Sequence, residues 1–354
     1  MEYLYSPLKI IHHRNKIEQL KKGDLIYPTQ IQIDLTNECN HNCPFCFYRC
    51  AKDDQLNAKF CDKDFIPNLR ACELIDEFKE LGIPAIQFTG GGEPLKHPDF
   101  HKILSHTINN GMEWSLVTNG VLLNSDYVDL YKTATWIRVS VDAASKEIYN
   151  KSQGCNGSDY EKVIENIKML VKHCGNVEIG LSFVVNPINF REIIEFKKLA
   201  EYLKVNNIRY SVSYTPKGIK IFKEHWLSVL KETRQAVSDE KSSLKVFDLI
   251  NNHLTNLDSK QKNYSQCGYQ HFTSVIGADL NVYPCCTLKY NSVVCFGNLK
   301  NRSFKDIWTG KERLDWIVSD HIKNVCNSKP CWMDGKNELI NYLLIKNPSH
   351  VNFI

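Results

Sequence analysis

The chain has no apolar run approaching the roughly 20 residues that a membrane-spanning helix needs. Its longest, such as Ile179–Val185, is the length of a strand. Met1–Lys22 contains no apolar stretch followed by a small-residue cleavage site, so no secretory signal is expected. Excess charge of one sign is also lacking. Lys plus Arg number 44 and Asp plus Glu 40, a net charge of +4, too small to argue for nucleic acid by bulk electrostatics. There is no low-complexity tract, and no repeat beyond a strand–helix unit. At 43% hydrophobic and 24% charged residues the composition is globular. The expectation is a soluble cytoplasmic protein, and 354 residues suggest about two domains.

Cysteine is abundant. There are 14, in a chain long enough to bury a full core without covalent staples. With no secretory signal, clustered cysteines point to metal ligands or catalytic groups more than to disulfides. Cys39, Cys43, Cys46 and Cys50 lie near the start. Cys267, Cys285, Cys286, Cys295, Cys326 and Cys331 lie near the end. Cys61, Cys72, Cys155 and Cys174 are scattered and read as ordinary packed residues.

Residues 1–27 form an entry segment with a short basic amphipathic stretch, Leu8–Leu20, best read as a solvated helix face. From Pro28 the pattern alternates. Strands are expected over 31–35, 85–89, 114–118, 136–141, 177–185 and 208–214. Helices are expected over 69–81, 100–109, 126–132, 160–173 and 190–203, with Asp159 as a cap. Such alternation implies parallel strands joined by helical crossovers, in a doubly wound sheet or a partial barrel. Unusual residues follow nearly every strand: the first cysteines, Gly90-Gly91-Gly92-Glu93-Pro94, Asn119-Gly120, Asp142 and Asn186-Pro187. A barrel gathers all such loops at one mouth, so the barrel is favoured. After Thr215, helices are expected over 222–237 and 244–257. Short strands (274–276, 281–284), a helix (304–308) and a helical tail before Pro348 follow. The expected organisation is an N-terminal segment (1–27), a partial (β/α)6 TIM-like barrel (28–220), a helical connector (221–265) and a small α+β domain with tail (266–354).

Cys39-x3-Cys43-x2-Cys46 sets three soft thiolates in one tight loop. Structural zinc prefers four ligands from two arms, although Cys50 could serve as a fourth. Three thiolates on a four-iron cluster would leave one iron open for chemistry. The run Cys39-Asn40-His41-Asn42-Cys43-Pro44-Phe45-Cys46 resembles the signature of the radical S-adenosylmethionine (SAM) enzymes, including aromatic Phe45 before the third cysteine. The resemblance covers about residues 28–215. It implies a [4Fe–4S] cluster on Cys39, Cys43 and Cys46, with SAM chelated to the fourth iron and cleaved reductively to a 5′-deoxyadenosyl radical. Gly91-Gly92-Glu93-Pro94 looks like the family's GGEP element, implying contact with the methionine amino group. Glycines allow close backbone approach and a carboxylate can pair with an ammonium. Asn119, Ser140 and Asp142 resemble further SAM-contacting positions.

The C-terminal cysteines resemble the start of a SPASM domain or its shorter Twitch form, which carry auxiliary iron–sulfur clusters. The later cysteine run of a full SPASM domain is reduced to Cys326-x4-Cys331, which favours one auxiliary [4Fe–4S] cluster on Cys267, Cys285, Cys326 and Cys331. Cys286 and Cys295 are rival ligands. Cys286 is disfavoured because neighbouring side chains on a strand face opposite ways. A zinc ribbon is the alternative for this half.

The resemblance implies hydrogen abstraction from a carbon, followed by oxidation or dehydration assisted by the auxiliary cluster, with a flavodoxin- or ferredoxin-type electron donor. Only about 27 residues precede the barrel, with no leader-peptide recognition domain. Together with the single auxiliary cluster, this points to a small polar substrate: a sugar, aminocyclitol or nucleotide sugar. Tyr214 is a candidate base, and Asn347–His350 could reach the barrel mouth. A peptide- or protein-modifying maturase and a non-catalytic iron–sulfur or zinc module are the competing classes. Neither membrane nor nucleic-acid partners are expected.

Overall fold

In the computed structural model, the described residues are 4–50, 59–212, 225–238, 242–250, 262–291, 294–327 and 331–345. A 3-10 turn at Pro7–His13 leads into α1 (Arg14–Lys22), which Gly23 closes in a left-handed conformation. Then follow β1 (Gln30–Asp34), α2 (Phe47–Cys50), α3 (Asn68–Glu80), β2 (Ala85–Thr89), α4 (Phe100–Asn109), β3 (Glu113–Thr118), α5 (Val128–Tyr131) and β4 (Trp136–Ser140). Next come α6 (Lys146–Gln153), α7 (Asp159–His173), β5 (Glu178–Val185), α8 (Ile193–Leu203), β6 (Asn207–Val212), α9 (Trp226–Ser238) and β7 (Lys245–Asp248). The C-terminal part holds β8 (Thr273–Ile276), β9 (Asn281–Tyr283), β10 (Gly297–Asn298), α10 (Phe304–Trp308), α11 (Lys311–Val318), a π-helical turn at Ile322–Cys326 and α12 (Asp334–Leu344).

All ten strands form one sheet in the order β10-β9-β8-β1-β2-β3-β4-β5-β6-β7. Strands β1 to β7 run parallel, as the alternation with helices requires. The fold is α/β with a parallel sheet, in keeping with a partial barrel. Two features depart from the expected organisation. The connector is not wholly helical: residues 245–248, expected in a helix, form β7 and pair with β6. Lys245-Val-Phe-Asp248 is a short, β-rich run, which a sheet edge offering free backbone groups can capture. On the other edge, β8 pairs parallel with β1, and β9 and β10 follow antiparallel. The C-terminal part therefore extends the barrel's own sheet. Helix α6 was not anticipated. Ser145 caps its start, and Gly154 ends it at φ 58°. Asp159 begins α7, and Ser158 occupies the cap position.

Strand residues alternate in character. Ile31 and Ile33, Ile86 and Phe88, Ile137 and Val139, and Ile208 and Tyr210 are buried beneath the helices. The opposite faces carry Gln32, Gln87, Arg138, Glu178, Asn207 and Arg209, which border a cavity of about 820 Å³. Parallel strands packed on both faces normally read as continuous apolar runs. Here the second face is polar and encloses a lumen. Trp136, Arg138, Gly180 and Arg209 line its strand wall, and Tyr5, Ser6 and Pro7 border it as well.

The barrel and the C-terminal part are pinned together by charge. Lys289 forms an ion pair with Asp34 at the end of β1, and both side chains are buried. Burial opposes the Lys289 charge, but Asp34 and the Tyr48 hydroxyl outweigh it and raise its pKa. Lys289→Met would leave Asp34 buried without its cation, at an expected cost of about 3–5 kcal/mol in urea unfolding. A cost below about 1 kcal/mol would show that the pair does not hold the two parts together.

Candidate iron–sulfur and SAM site

The first cysteine loop leaves the carboxyl end of β1. Cys39, Cys43 and Cys46 lie close enough for each thiol to influence the others electrostatically. The His41 N–H donates to Cys39 Sγ (3.4 Å), and Asn119 Nδ2 approaches the same sulfur at 4.0 Å. The Cys43 thiol faces Gln153 Oε1 at 3.1 Å. Cys50 ends α2, and nothing is described of its side chain. Burial pushes Cys39 up to about 11 and raises Cys43, so both thiols are protonated in the bare loop. A bound cation reverses that balance by deprotonating a coordinating thiol.

Helix α6 floors this loop. The Asn42 N–H bonds the Gln153 carbonyl (3.1 Å), and a Cβ on Gly154 would sit 2.0 Å from the Asn42 carbonyl oxygen. His41 is buried between Gln153 Oε1 and Asp159 Oδ2, each 3.3 Å away. Gln153, Gly154, His41 and Asp159 were all missed by the sequence reading. The signal available for the first two was the helix stop at Gly154.

The glycine loop is stitched to the root of the cysteine loop. Gly92 N bonds the Thr36 carbonyl and Glu93 N the Glu38 carbonyl. A Cβ at Gly92 would lie 2.1 Å from the Glu38 oxygen, and one at Gly91 2.3 Å from Asn37 Oδ1. These glycines are required by protein–protein approach before any ligand is considered. Pro94 starts a 3-10 turn, Pro94–Lys96. The Glu93 carboxylate is buried and accepts from Thr118 Oγ1 (2.6 Å), Asn119 N (2.7 Å) and Leu95 N (3.1 Å). Three protein donors surround the group for which an ammonium partner was expected. Burial still lifts its pKa to about 7.

Asn119 Nδ2 reaches Asn40 Oδ1 at 2.8 Å, joining the β3 loop to the cysteine loop. Ser140 lies 3.1 Å from Ser182 across β4 and β5. Asp142 adopts φ 58°. Its carboxylate accepts from Val184 N (2.6 Å) and Gln153 Nε2 (2.9 Å), and burial raises it to about 7. Asp142 therefore acts through Gln153 on the cysteine loop. Phe45 is half-buried in that loop. Tyr214 and Asn347–His350 lie outside the described residues.

Cys267, Cys285, Cys326 and Cys331 line one small cavity of about 40 Å³ with Tyr264 and Tyr269. Asn337 Oδ1 lies 3.5 Å from Cys267 Sγ, and Met333 N donates to Cys331 Sγ at 3.4 Å. Burial pushes Cys267 up to about 12 and raises Cys285 and Cys331. Cys295 points elsewhere: its thiol meets the Gly297 carbonyl at 3.4 Å, and it packs with Phe60, Tyr283 and Tyr290. Cys286 lies in the turn after β9, so the strand argument does not apply to it. It borders both the small cavity and the large one.

Among the described residues, the set of three donors drawn within 4.8 Å of one another is His41, Cys155 and Asp159. Both cysteine groups are spread more widely. A tetrahedral ion with metal–sulfur bonds of about 2.3 Å would need its donors closer than that.

Residues 33–200 match the radical SAM superfamily, and residues 267–332 match SPASM, an iron–sulfur cluster-binding domain. The chain is 28% identical to the Fe-coproporphyrin III synthase of Methanosarcina barkeri, over 58% of this chain and 48% of that protein. It is thus matched to about half the length of that relative. It is 26% identical to the AdoMet-dependent heme synthase of the same organism, over 80% and 83% of the two chains. In fold it is similar to Streptococcus suis SuiB bound to S-adenosylmethionine, with a TM-score of 0.66 and 16% identity over 88% of this chain and 72% of that one. No helix among the described residues is long and apolar enough to cross a membrane.

A raised carboxylate stabilises the fold below its unfolded pKa, and that contribution is lost as pH rises through the folded value. For Glu93 the window runs from the ordinary 4.5 to about 7. Unfolding free energies across this range should fall for the wild type relative to Glu93→Gln. Parallel pH curves for the two proteins would contradict the buried, protein-bonded carboxylate.

Proposed function

Because this chain belongs to the radical SAM superfamily and carries a C-terminal SPASM domain, we propose that it abstracts hydrogen from a carbon of a polar small molecule, with net oxidation or dehydration. The observation that carries this reading is the position of the cysteine loop. Phe47 and Tyr48, immediately after Cys46, line the 820 Å³ cavity inside the barrel. A substrate there would lie beside the cysteine loop. When bound, the cluster supplies an electron that cleaves SAM to a 5′-deoxyadenosyl radical.

The chain's own residues have distinct tasks in this reading. Cys39, Cys43 and Cys46 hold the first cluster. Gln153, His41 and Asn119 position their loop, and Glu93 and Asp142 brace the strand ends around it. Gly91 and Gly92 would let backbone approach SAM closely, and Ser140 at the end of β4 would contact it. Cys267, Cys285, Cys326 and Cys331 would hold one auxiliary cluster, which would supply an electron acceptor for an oxidation. The electron donor would be a ferredoxin- or flavodoxin-type protein.

A second reading, modification of a peptide, draws support from SuiB, a protein of similar fold that has been solved with its precursor peptide SuiA. The two readings separate by substrate: deoxyadenosine release stimulated by small polar molecules favours the first, and stimulation only by a peptide favours the second.

Anaerobic reconstitution should give about eight irons per chain, with deoxyadenosine formed from SAM after dithionite. Cys43→Ala should abolish that product, whereas Cys285→Ala should retain about four irons. Zinc without iron, and no SAM cleavage, would overturn the reading. Iron content unchanged by Cys285→Ala would remove that residue from the ligands.

A further inference from the structure

The large cavity carries charge that the motifs do not use. Arg138 on β4 and Arg209 on β6 both line it, and Lys9 and Lys336 border it from the N-terminal segment and α12. The one carboxylate in its wall is Glu178, and Asn207 Nδ2 donates to it at 2.7 Å. Among the described residues, none of these four cations is ion-paired. Arg209 Nε is buried without a hydrogen-bond partner. Arg138 donates to the Tyr5 hydroxyl (2.7 Å), and its guanidinium lies 4.8 Å from the Trp136 ring. The Tyr5 ring is 5.2 Å from Arg138 and 5.9 Å from Arg209, so one aromatic group from the N-terminal segment serves both.

The register explains why the two arginines share a wall. Arg138 pairs with Gly180 and Ser182 with Arg209, placing the arginines in adjacent layers of the lumen face. Gly180 lies beside Arg138, and a Cβ there would come 2.5 Å from Asn207 Oδ1. The missing side chain makes room for the Asn207 amide on the lumen face.

Four cations thus face a single lining carboxylate in a low-dielectric wall, and such an excess of like charge costs free energy unless an anion offsets it. Burial, and then Arg209, lower Arg138 to about 9, which still leaves it charged at neutral pH. Burial, and then Lys9, lower Lys336. Guanidinium groups match carboxylate and phosphate oxygens through paired N–H donors. The cavity volume of about 820 Å³ falls within the range of roughly 300–1,000 Å³ typical of small-molecule sites.

We propose that the substrate of this cavity is a small molecule bearing carboxylate or phosphate groups, with one anionic group held between Arg138 and Arg209. This deepens the proposed function and rests on it for the identity of the site. It also narrows that reading. A nucleotide sugar or an acidic metabolite fits, whereas an amino sugar would bring positive charge to a positive wall.

The test is calorimetric titration of the reconstituted full-length protein with pyrophosphate, tricarballylate and neutral glucose. We expect saturable binding of at least one anion, weakening as salt rises, and no binding of glucose. A preference for pyrophosphate or for tricarballylate identifies the phosphate or carboxylate source. Arg209→Gln and Arg138→Lys should each weaken anion binding tenfold or more, and exposed Lys168→Met should not. Two substitutions of different severity guard against a single variant that misfolds. Binding of glucose alone, or anion affinity unchanged in both arginine variants, would overturn the proposal. Deoxyadenosine release by the same wild-type preparation separates the two ideas: release without anion binding defeats the substrate class and leaves the radical chemistry standing.

Discussion

The Asp34 carboxylate is the point on which the site's geometry depends. It ends β1, where the cysteine loop begins. One oxygen receives the Gly91 N–H at 3.0 Å and lies 2.8 Å from the Tyr290 hydroxyl, and Lys289 bonds it as well. Three regions far apart in sequence therefore meet on one oxygen: the first strand, the glycine loop, and the turn after the C-terminal hairpin. The Tyr290 hydroxyl also lies 2.7 Å from Asn37 Oδ1 in the cysteine loop's root. The position of the glycine loop relative to the cysteines is thus set partly by residues contributed from beyond the barrel. A buried ion pair adds little net stability over an apolar replacement, but removing one partner is costly. Here the pair fixes the register of two parts that share one sheet.

A second constraint is the polar lumen. Five of the first six strands give Gln, Thr, Arg, Glu or Asn to the lumen, where a packed barrel would hold branched apolar residues. The apolar helix-facing side compensates with a continuous cluster running from Ile31 on β1 to Val212 on β6. Gln30 and Gln87 satisfy each other at 2.7 Å, and Asn207 satisfies Glu178. Arg138 bonds only the neutral Tyr5 hydroxyl and Arg209 Nε has no hydrogen-bond partner, so the cationic charge of the lumen is concentrated where a ligand can meet it.

Much of this was legible in the sequence. The six strand–helix units follow from hydrophobic period and glycine stops: 85–89 and 304–308 form the strand and helix read from sequence. The cysteine groups were legible from spacing, since thiolate chemistry leaves few alternatives. What was not legible depended on distance along the chain. Lys245–Asp248 became a strand because the β6 edge was available to it. Gln153 supports Cys43 across about a hundred residues of sequence, and Lys289 finds Asp34 across more than twice that. The polar alternation in β1, β2, β4 and β6 was visible, yet only the curvature of the assembled sheet turns it into a cavity wall. Glu93 shows a role that the sequence reading did not include. A carboxylate in a glycine loop reads as a ligand contact, but its three bonds are to the protein's own backbone and to Thr118.

The two cavities lie back to back. Tyr269, Cys286, Thr287 and Met333 border both the 820 Å³ lumen and the small space enclosed by the four C-terminal cysteines. A substrate in the lumen is therefore separated from the auxiliary cysteines by a single layer of side chains. Cys286 and Thr287 in that wall come from the turn after β9, which carries both Cys285 and Lys289, so the turn that docks on Asp34 also carries one of the four cysteines around the small cavity. Docking of the C-terminal part and the spacing between lumen and auxiliary site are consequently one structural variable. In the proposed reading this favours oxidation, because electron loss from a substrate radical needs an acceptor held at fixed, short range. A dehydration requires no such acceptor and gives no reason for the wall to be so thin.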